Sequence, residues 1–440
     1  MSVSTDQLLA RLNSAQPVIH RRDLYYRGAQ GLRFTTTALS KEGAESLRFS
    51  TNLCRIAVQA VAERINVEKI GAQVRGADVS PVAWQLWADS DMPMLLQSAV
   101  VDALTVGVSF LVVWTDGFGR PTVTVETAEQ VAVERDPVSG GVVAALKRWE
   151  VRDAHGVVLE THIVKYEPNQ IRHFIQAAAD GKRRFISSTP NPLGVVPVVE
   201  LRNIDRAGDE FGYSVIDDLA PLVDALNKMV VDMMVTSESV ARPKRWATGV
   251  DMMEPLGEQG YSVDSGFMAD SPVRTPSPQP TEADIDHAEA PFKDSDDMWV
   301  SEQAETKFGQ LPGADMAGYR TGVDILMQQI MALTGLPPHM VGIMTSNPAT
   351  AEALRASEVS LTSRAAARIR VFNQAVEWAI RLLVAIDRGV KPADVTVQVG
   401  WMSPGTRSIA QEADAAVKLV QAGVLSPSEA RALIGLDMED

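Results

Sequence analysis

The chain has 440 residues, a formal charge of −15 from 41 Lys+Arg against 56 Asp+Glu, and 45% apolar composition. That is room for about two to four domains with a sizeable core. It excludes wholesale disorder, and the acidic balance argues against tight non-specific gripping of duplex DNA, which depends on neutralising phosphates.

One cysteine, Cys54, excludes an intrachain disulfide and a cysteine-based zinc site and fits synthesis in a reducing cytosol. The first residues lack the basic-then-apolar pattern of a signal peptide, and no apolar run approaches the roughly 18 residues of a membrane span. The first third opens helical: Leu8, Leu9 and Leu12, then Leu53, Ile56, Ala60, Val61 and Ile65, recur at helical spacing. Another apolar helix is predicted over residues 94–108. Trp84 and Trp87, at i,i+3, read as core anchors. Strands follow over 110–114 and 122–126, around the turn Asp116-Gly117-Phe118-Gly119, and again over 144–151, 157–166 and 171–176. This is an α+β region ending near Glu200.

The next helix is predicted over 218–241, with Pro221 in its first turn, where a missing N–H does no harm. Leu219, Val223, Leu226, Val230 and Met233, spaced alternately four and three apart, form a narrow apolar seam. Arg242, Lys244 and Arg245 close it. They read either as a cationic helix end complementing the macrodipole or as a direct DNA contact. Residues 249–313 turn proline-rich and acidic, a small irregular module rather than a long structureless loop. A second helix, over 315–334, repeats the seam with Met316, Tyr319, Val323, Leu326, Ile330 and Leu333 and stops at Gly335 and Pro337-Pro338. Matching seams on either side of one insertion predict an antiparallel pair carrying the module. Met229, Met233, Met234, Met327 and Met331 decorate these helices as adaptable packing or ordinary core.

After a loop over 342–346, Asn347 and Pro348 supply the N-cap and first position of a helix. It runs to Asp387, with Gly389 beyond its end, and at about 1.5 Å per residue spans roughly 60 Å, the length of a strut or coiled coil. Leu354, Leu361, Ile369, Phe372, Val376, Ile380 and Leu383 supply its core stripe, and Glu377 and Arg381 an i,i+4 pair. A strand over 395–399 and two small helices, opened by capping boxes at Ser408 and Ser426, complete the chain.

Chemistry is sparse. No phosphate-binding loop is present, since Gly181-Lys182 lacks both the preceding glycine and the following hydroxyl. Gly107-Val-Ser109-Phe-Leu111 lacks the second glycine of a nucleophile elbow and reads as a buried helix-to-strand junction. His155 and His162 could face a strand pair, but no carboxylate set accompanies them. Asp294, Asp296 and Asp297 read as a solvated charge run. The expectation is no catalytic residue, no cofactor, no metal and no enzyme.

Several short stretches occur in a telling order: Tyr25-Tyr26-Arg27-Gly28, Asn52, Val61-Ala-Glu-Arg-Ile65, Leu86-Trp87-Ala-Asp-Ser-Asp91, Gly107-Val-Ser-Phe-Leu-Val-Val113, Asn191-Pro-Leu-Gly-Val-Val-Pro-Val198, Ser214 to Asn227, Ala241-Arg-Pro243 with Gly249, and Ser346-Asn-Pro-Ala-Thr-Ala-Glu-Ala-Leu-Arg355. In this order they resemble the portal protein family of tailed bacteriophages, in its siphophage-type branch, over nearly the whole chain. Ala349 departs from the serine that the family commonly carries after Asn-Pro. The resemblance implies an α+β portal fold: wing (1–213), stem helix (214–248), small α/β clip (249–313), second stem helix (314–340), tunnel loop and long wing helix (341–388), and helical crown (389–440). It also implies a homo-oligomeric ring, usually a dodecamer.

The implied function is a channel at one capsid vertex for DNA packaging and ejection. The implied partners are double-stranded DNA, the terminase, the head-to-tail adaptor, and the major capsid and scaffolding proteins, with no membrane. The implied location is the virion, after synthesis in the host cytoplasm. Gly342, Ile343, Met344, Thr345, Ser346 and Asn347 would form a DNA-facing tunnel loop; Arg242, Lys244 and Arg245 a basic cluster of the stem; Leu226, Val230, Met233, Val323, Leu326 and Ile330 its packing. If these seams meet mainly between subunits, Leu226→Asp or Leu326→Asp would block ring formation more than folding. An acidic bore would repel phosphate and let DNA slide. The alternative is a helical scaffold or adaptor of a virus particle without a DNA channel.

Overall fold

The computed structural model describes residues 3–33, 50–179, 181–209, 211–241, 245–248, 305–310, 316–342, 350–405, 409–427 and 430–431. The chain divides into two compact units, Met1–Val231 with Tyr319–Asp440, and Asp232–Gly318.

In the first unit, helix α1 (Thr5–Arg27) opens with a capping box at Ser4 and Gln7 and ends at Gly28, which takes the left-handed conformation at φ 67°. Leu8, Leu12, Ile19 and Tyr25 are its buried face. Helix α2 (Leu53–Ala62) is buried at seven of its ten positions. Strands β1 (Val67–Val74) and β2 (Ala77–Asp78) lead to helices α3 (Ser80–Asp89) and α4 (Met92–Val106). Trp87 is fully buried, as an anchor should be, but Trp84 is 37% exposed. The two lie on one side of the helix, but only Trp87 reaches the principal core.

Gly107 turns α4 directly into β3 (Val108–Thr115) at φ 106°, a backbone state that only glycine adopts freely. Its carbonyl accepts the Asn203 N–H at 2.9 Å, and a Cβ on Gly212 would lie 2.0 Å from the same oxygen. Two glycines therefore allow two backbones to touch, and the stretch read as a buried junction is one. The helix ends two residues before its predicted 108 because Gly107 terminates it, and it starts at Met92, two residues before the predicted 94.

Strands β4 (Pro121–Glu126), β5 (Val131–Arg135), β6 (Val142–Arg152), β7 (Val158–Tyr166), β8 (Gln170–Ala177), β9 (Arg183–Pro190) and β10 (Val198–Arg202) follow. They form antiparallel sheets in the orders β10-β3-β4 and β5-β6-β7-β8-β9. β9 is exposed at all eight positions, which explains why it has no hydrophobic period to read.

Helix α5 (Val215–Ala241) starts three residues before the predicted 218 because the Ser214 hydroxyl accepts the Ile216 N–H at 3.1 Å. Pro221 consequently lies inside the helix rather than in its first turn. In the second unit, β11 (Arg245–Thr248) pairs antiparallel with β12 (Lys307–Gln310), tying together the two ends of the intervening segment. Helix α6 (Ala317–Thr334) is followed by a 3-10 turn, Pro338–Val341, and then by helix α7 (Ala351–Arg388), the longest of the described elements.

The long helix does not begin at Asn347. Thr350 is its N-cap: extended at ψ 156°, it accepts the Ala353 N–H at 3.2 Å. A threonine hydroxyl on an extended residue serves as this cap, and the predicted cap, Asn347, lies outside the described residues. Leu361, Phe372, Val376, Ile380 and Leu383 are fully buried, whereas Leu354, near the start of the helix, is 38% exposed. Glu377 instead accepts the Val399 N–H at 3.4 Å and Arg381 lies over the ring of Trp378 on its own helix, and no ion pair joins the two among the described residues. Strand β13 (Val395–Trp401) returns to pair with β1 in the order β13-β1-β2, and helix α8 (Ile409–Gln421) follows. The principal core gathers α2, α3, α4, α7 and the sheets of β3 and β13 into one cluster.

Candidate functional site

The candidate site is the pair of seam helices α5 and α6 with the stretch that joins them to α7. The start of α5 is fastened from several sides. Arg22 and Arg21 of α1 pair with Asp217, an acid that also suits a helix N-terminus. The Tyr25 hydroxyl donates to both oxygens of buried Asp224, at 2.8 and 3.0 Å. Burial and the Asp224 charge raise the Tyr25 phenol to about 12. Asn227 accepts from the backbone and hydroxyl of Thr51 at 3.2 Å. Arg368 of α7 donates to Asn203 at 2.6 Å and pairs with Asp205, while the Asn203 amide donates to the Tyr213 carbonyl at 2.7 Å. Asn191 is likewise a scaffold residue, its side chain bonding the carbonyls of Glu167 and Val195 and the Leu193 N–H.

Part of the predicted seam packs into the core, and Leu333, predicted in it, does not. Leu226 and Ile330 are buried in the principal core, and Val230, Val323 and Leu326 pack partly buried against it. The Met229 methyl lies where a Cβ on Gly322 would stand, 2.1 Å away, so a missing side chain lets the two helices meet. Met233 is half-buried and lies in the second unit. This corrects the expected effect of Leu226→Asp: at 1% exposure Leu226 belongs to the core of its own subunit. Ile325 and Leu333 of α6, 50% and 45% exposed, face outward instead.

Below the seam, Thr334 returns its hydroxyl to the Ile330 carbonyl at 2.7 Å and accepts the Leu336 N–H. Gly335, at φ +73°, sits against Ser360 and Arg364 of α7, where a Cβ would be within 2.8 Å of both. Glu358 of α7 lies between Arg64 at 3.7 Å and His339 of the 3-10 turn at 3.5 Å. These contacts hold the ends of the predicted tunnel loop, Gly342 and Thr350, onto the same body. Gly342 caps the 3-10 turn at φ 78°; Ile343, Met344, Thr345, Ser346 and Asn347 lie outside the described residues. Arg242 and Lys244 of the basic cluster, and Asp294, Asp296 and Asp297, do too, and Arg245 opens β11.

Sequence reasoning missed Glu358, Arg368, Asn203 and the Tyr25–Asp224 bond. Most of their partners are 160 or more residues away (Arg64 for Glu358, Arg368 for Asn203, Asp224 for Tyr25), and only the Ser4 box and Thr350 had a local signal. It also missed the true partner of His162, which is His173: the two rings meet nitrogen to nitrogen at 3.0 Å, His162 touches Glu160 at 2.8 Å, and Trp149 stacks at 4.9 Å. His155 sits apart in an exposed turn. Asp102 is raised to about 6 by burial and by the charges of Asp23 and Glu129. Among the described residues no group of three or more His, Cys, Asp or Glu could hold a metal, and no helix is long and apolar enough to cross a membrane.

A family described as "Phage portal protein, SPP1 Gp6-like" matches residues 9–436. The chain is 28% identical to the portal protein of Mycobacterium phage D29 over 415 residues, covering 90% of this chain and 78% of that one. It is also 28% identical to the portal protein of Mycobacterium phage L5 over 405 residues, covering 88% and 76%. Among solved structures it is similar to a chain of the virion of a native gene transfer agent particle, with TM-score 0.43, 16% identity and coverage of 88% and 89%. Another is from the neck of the native particle computed with C12 symmetry, with TM-score 0.42, 16% identity and coverage of 95% and 99%.

Proposed function

Since the chain belongs to the SPP1 Gp6-like family of phage portal proteins, we propose that it assembles into a closed ring, a dodecamer, that forms the DNA channel at one vertex of the capsid. The observation that carries this reading is the family match across residues 9–436, which leaves no place for a helical scaffold without a channel. The order of the chain supports it: α5 begins in the first unit and ends in the second, and α6 carries the chain back into the first.

In this reading residues 1–213 are the wing, 214–248 and 314–340 the stem, 249–313 the clip, 341–388 the tunnel loop and long helix, and 389–440 the crown. The clip docks the terminase during packaging and the head-to-tail adaptor afterwards, and the body meets the major capsid and scaffolding proteins. Gly342 to Asn347 form the loop that faces DNA. Those residues carry no charge, which suits a gasket against moving DNA better than a clamp, and an acidic ring keeps phosphate from sticking. The role is structural, with no catalytic step, and its place is the virion after synthesis in the host cytoplasm.

Electron microscopy of the purified chain in negative stain tests this. Rings with a central hole are expected. Filaments or small oligomers would sink the channel, and magnesium-dependent nicking of plasmid DNA would overturn the structural role.

A further inference from the structure

Three successive hairpin tips of the body are built alike. Each opens with an aspartate whose carboxylate accepts the backbone N–H two residues on: Asp116 from Phe118 at 2.8 Å, Asp136 from Val138 at 3.2 Å, Asp153 from His155 at 2.9 Å. Such side-chain turns make a tip rigid without any packing. The first is the most tightly locked. Asp116 also accepts the Arg120 N–H and guanidinium, both at 2.9 Å, and its own N–H donates to the Arg120 carbonyl at 2.8 Å. Arg120 lies over the Phe118 ring. The outcome is a stiff hairpin end that holds a phenyl ring out at 87% exposure. A rigid, exposed aromatic costs free energy in water and offers binding without an ordering penalty.

The same chain carries a hole that such a ring fits. Between α1 and the sheets of β3 and β5 lies an open apolar cavity of about 350 Å3, lined by Val18, Ile19, Val106, Val108, Phe110 and Val131. A phenyl ring needs far less, since a cavity of about 150 Å3 lined by apolar side chains takes benzene. The arginines at its edge are each neutralised: Arg11 by Glu134 at 2.9 Å, Arg22 by Asp217, and Arg135 by Glu200 at 2.5 Å. The tip is neutral too, through Asp116 and Arg120. An apolar centre inside a self-neutralised rim is the anatomy of a protein–protein contact.

We propose that Phe118 of one subunit seats in the cavity of its neighbour, so that each chain supplies a knob to one side and a hole to the other. This rests on the ring reading above. A closed ring of identical chains needs two different complementary surfaces on every subunit, whereas a two-fold dimer would need one surface matching itself.

Oxidative cross-linking tests it. Phe118→Cys and Val18→Cys are introduced together and singly into the full chain, whose native Cys54 is buried and whose thiol burial holds protonated. The double variant should give a ladder of multimers on a denaturing gel, far beyond either single variant. Rings in the microscope without that ladder would overturn the knob and leave the ring standing. A faster monomer band alone would place the contact within one chain. No rings from the unmutated chain would sink both readings. As a second measurement that needs no cysteine, Phe118→Ser should lower the ring fraction in size-exclusion chromatography at least tenfold at limiting concentration, with an unchanged unfolding midpoint. Unchanged assembly would again remove the knob.

Discussion

At the residue scale the fold depends on a few positions where backbone geometry outranks side-chain identity. Gly335 is the sharpest, because it needs a left-handed φ and also faces Ser360 and Arg364 at contact distance. Gly335→Ala should cost roughly 1–2 kcal/mol from the backbone alone, read as a lower midpoint in urea unfolding; an unchanged midpoint would show that α6 and α7 do not depend on this close approach. The histidine pair responds to pH. Burial, then the neighbouring His162, lowers His173 below its ordinary 6.5. A histidine held neutral by the fold contributes stability above its unfolded value and loses it as pH falls through the folded value. The unfolding temperature should therefore drop between about pH 7 and pH 5. His173→Gln, which can still bond to His162, should flatten that drop, and an equally steep profile in the variant would remove the pair from the account.

At the scale of elements, α5 and α6 each have two sides with different duties. Leu226, at 1% exposure, and Ile330, at 0%, bind them into their own subunit, and Ile325 at 50% is free to meet a neighbour. Leu226→Asp places a carboxylate in the core and should destabilise by about 3 kcal/mol or more, giving insoluble or unfolded protein. Ile325→Asp should leave the circular dichroism spectrum and unfolding midpoint unchanged while reducing the ring fraction in size-exclusion chromatography. If Ile325→Asp unfolds the chain, or Leu226→Asp assembles normally, the two sides have been assigned in the wrong order. The seams themselves were readable because periodicity is a local property. Which side of a seam turns inward was not, since α2 and α7, which share its core cluster, are remote in sequence.

At the scale of the whole molecule, the channel reading sets like charge against phosphate. Replacing Thr345 and Ser346 together by Asp should leave the ring assembled and reduce the DNA retained by purified particles on heating; equal genome content and retention would mean that this loop does not meet DNA closely. Much of the architecture behind that prediction could be read locally. Helix periods, the glycines at 107, 335 and 389, and the ordered series of short stretches specified an α+β body, a helical pair around an insertion and a long strut, since spacing and φ preference act over a few residues. Tertiary structure decided the rest. It paired β13 with β1 across more than 300 residues, gave the long helix its cap at Thr350, and turned Leu226 from an expected subunit contact into core. It also joined His162 to His173 and set a rigid Phe118 and an apolar cavity on one body. Each of these depends on which remote surface a side chain meets, and burial, charge pairing and backbone contact arise only once the chain has closed on itself.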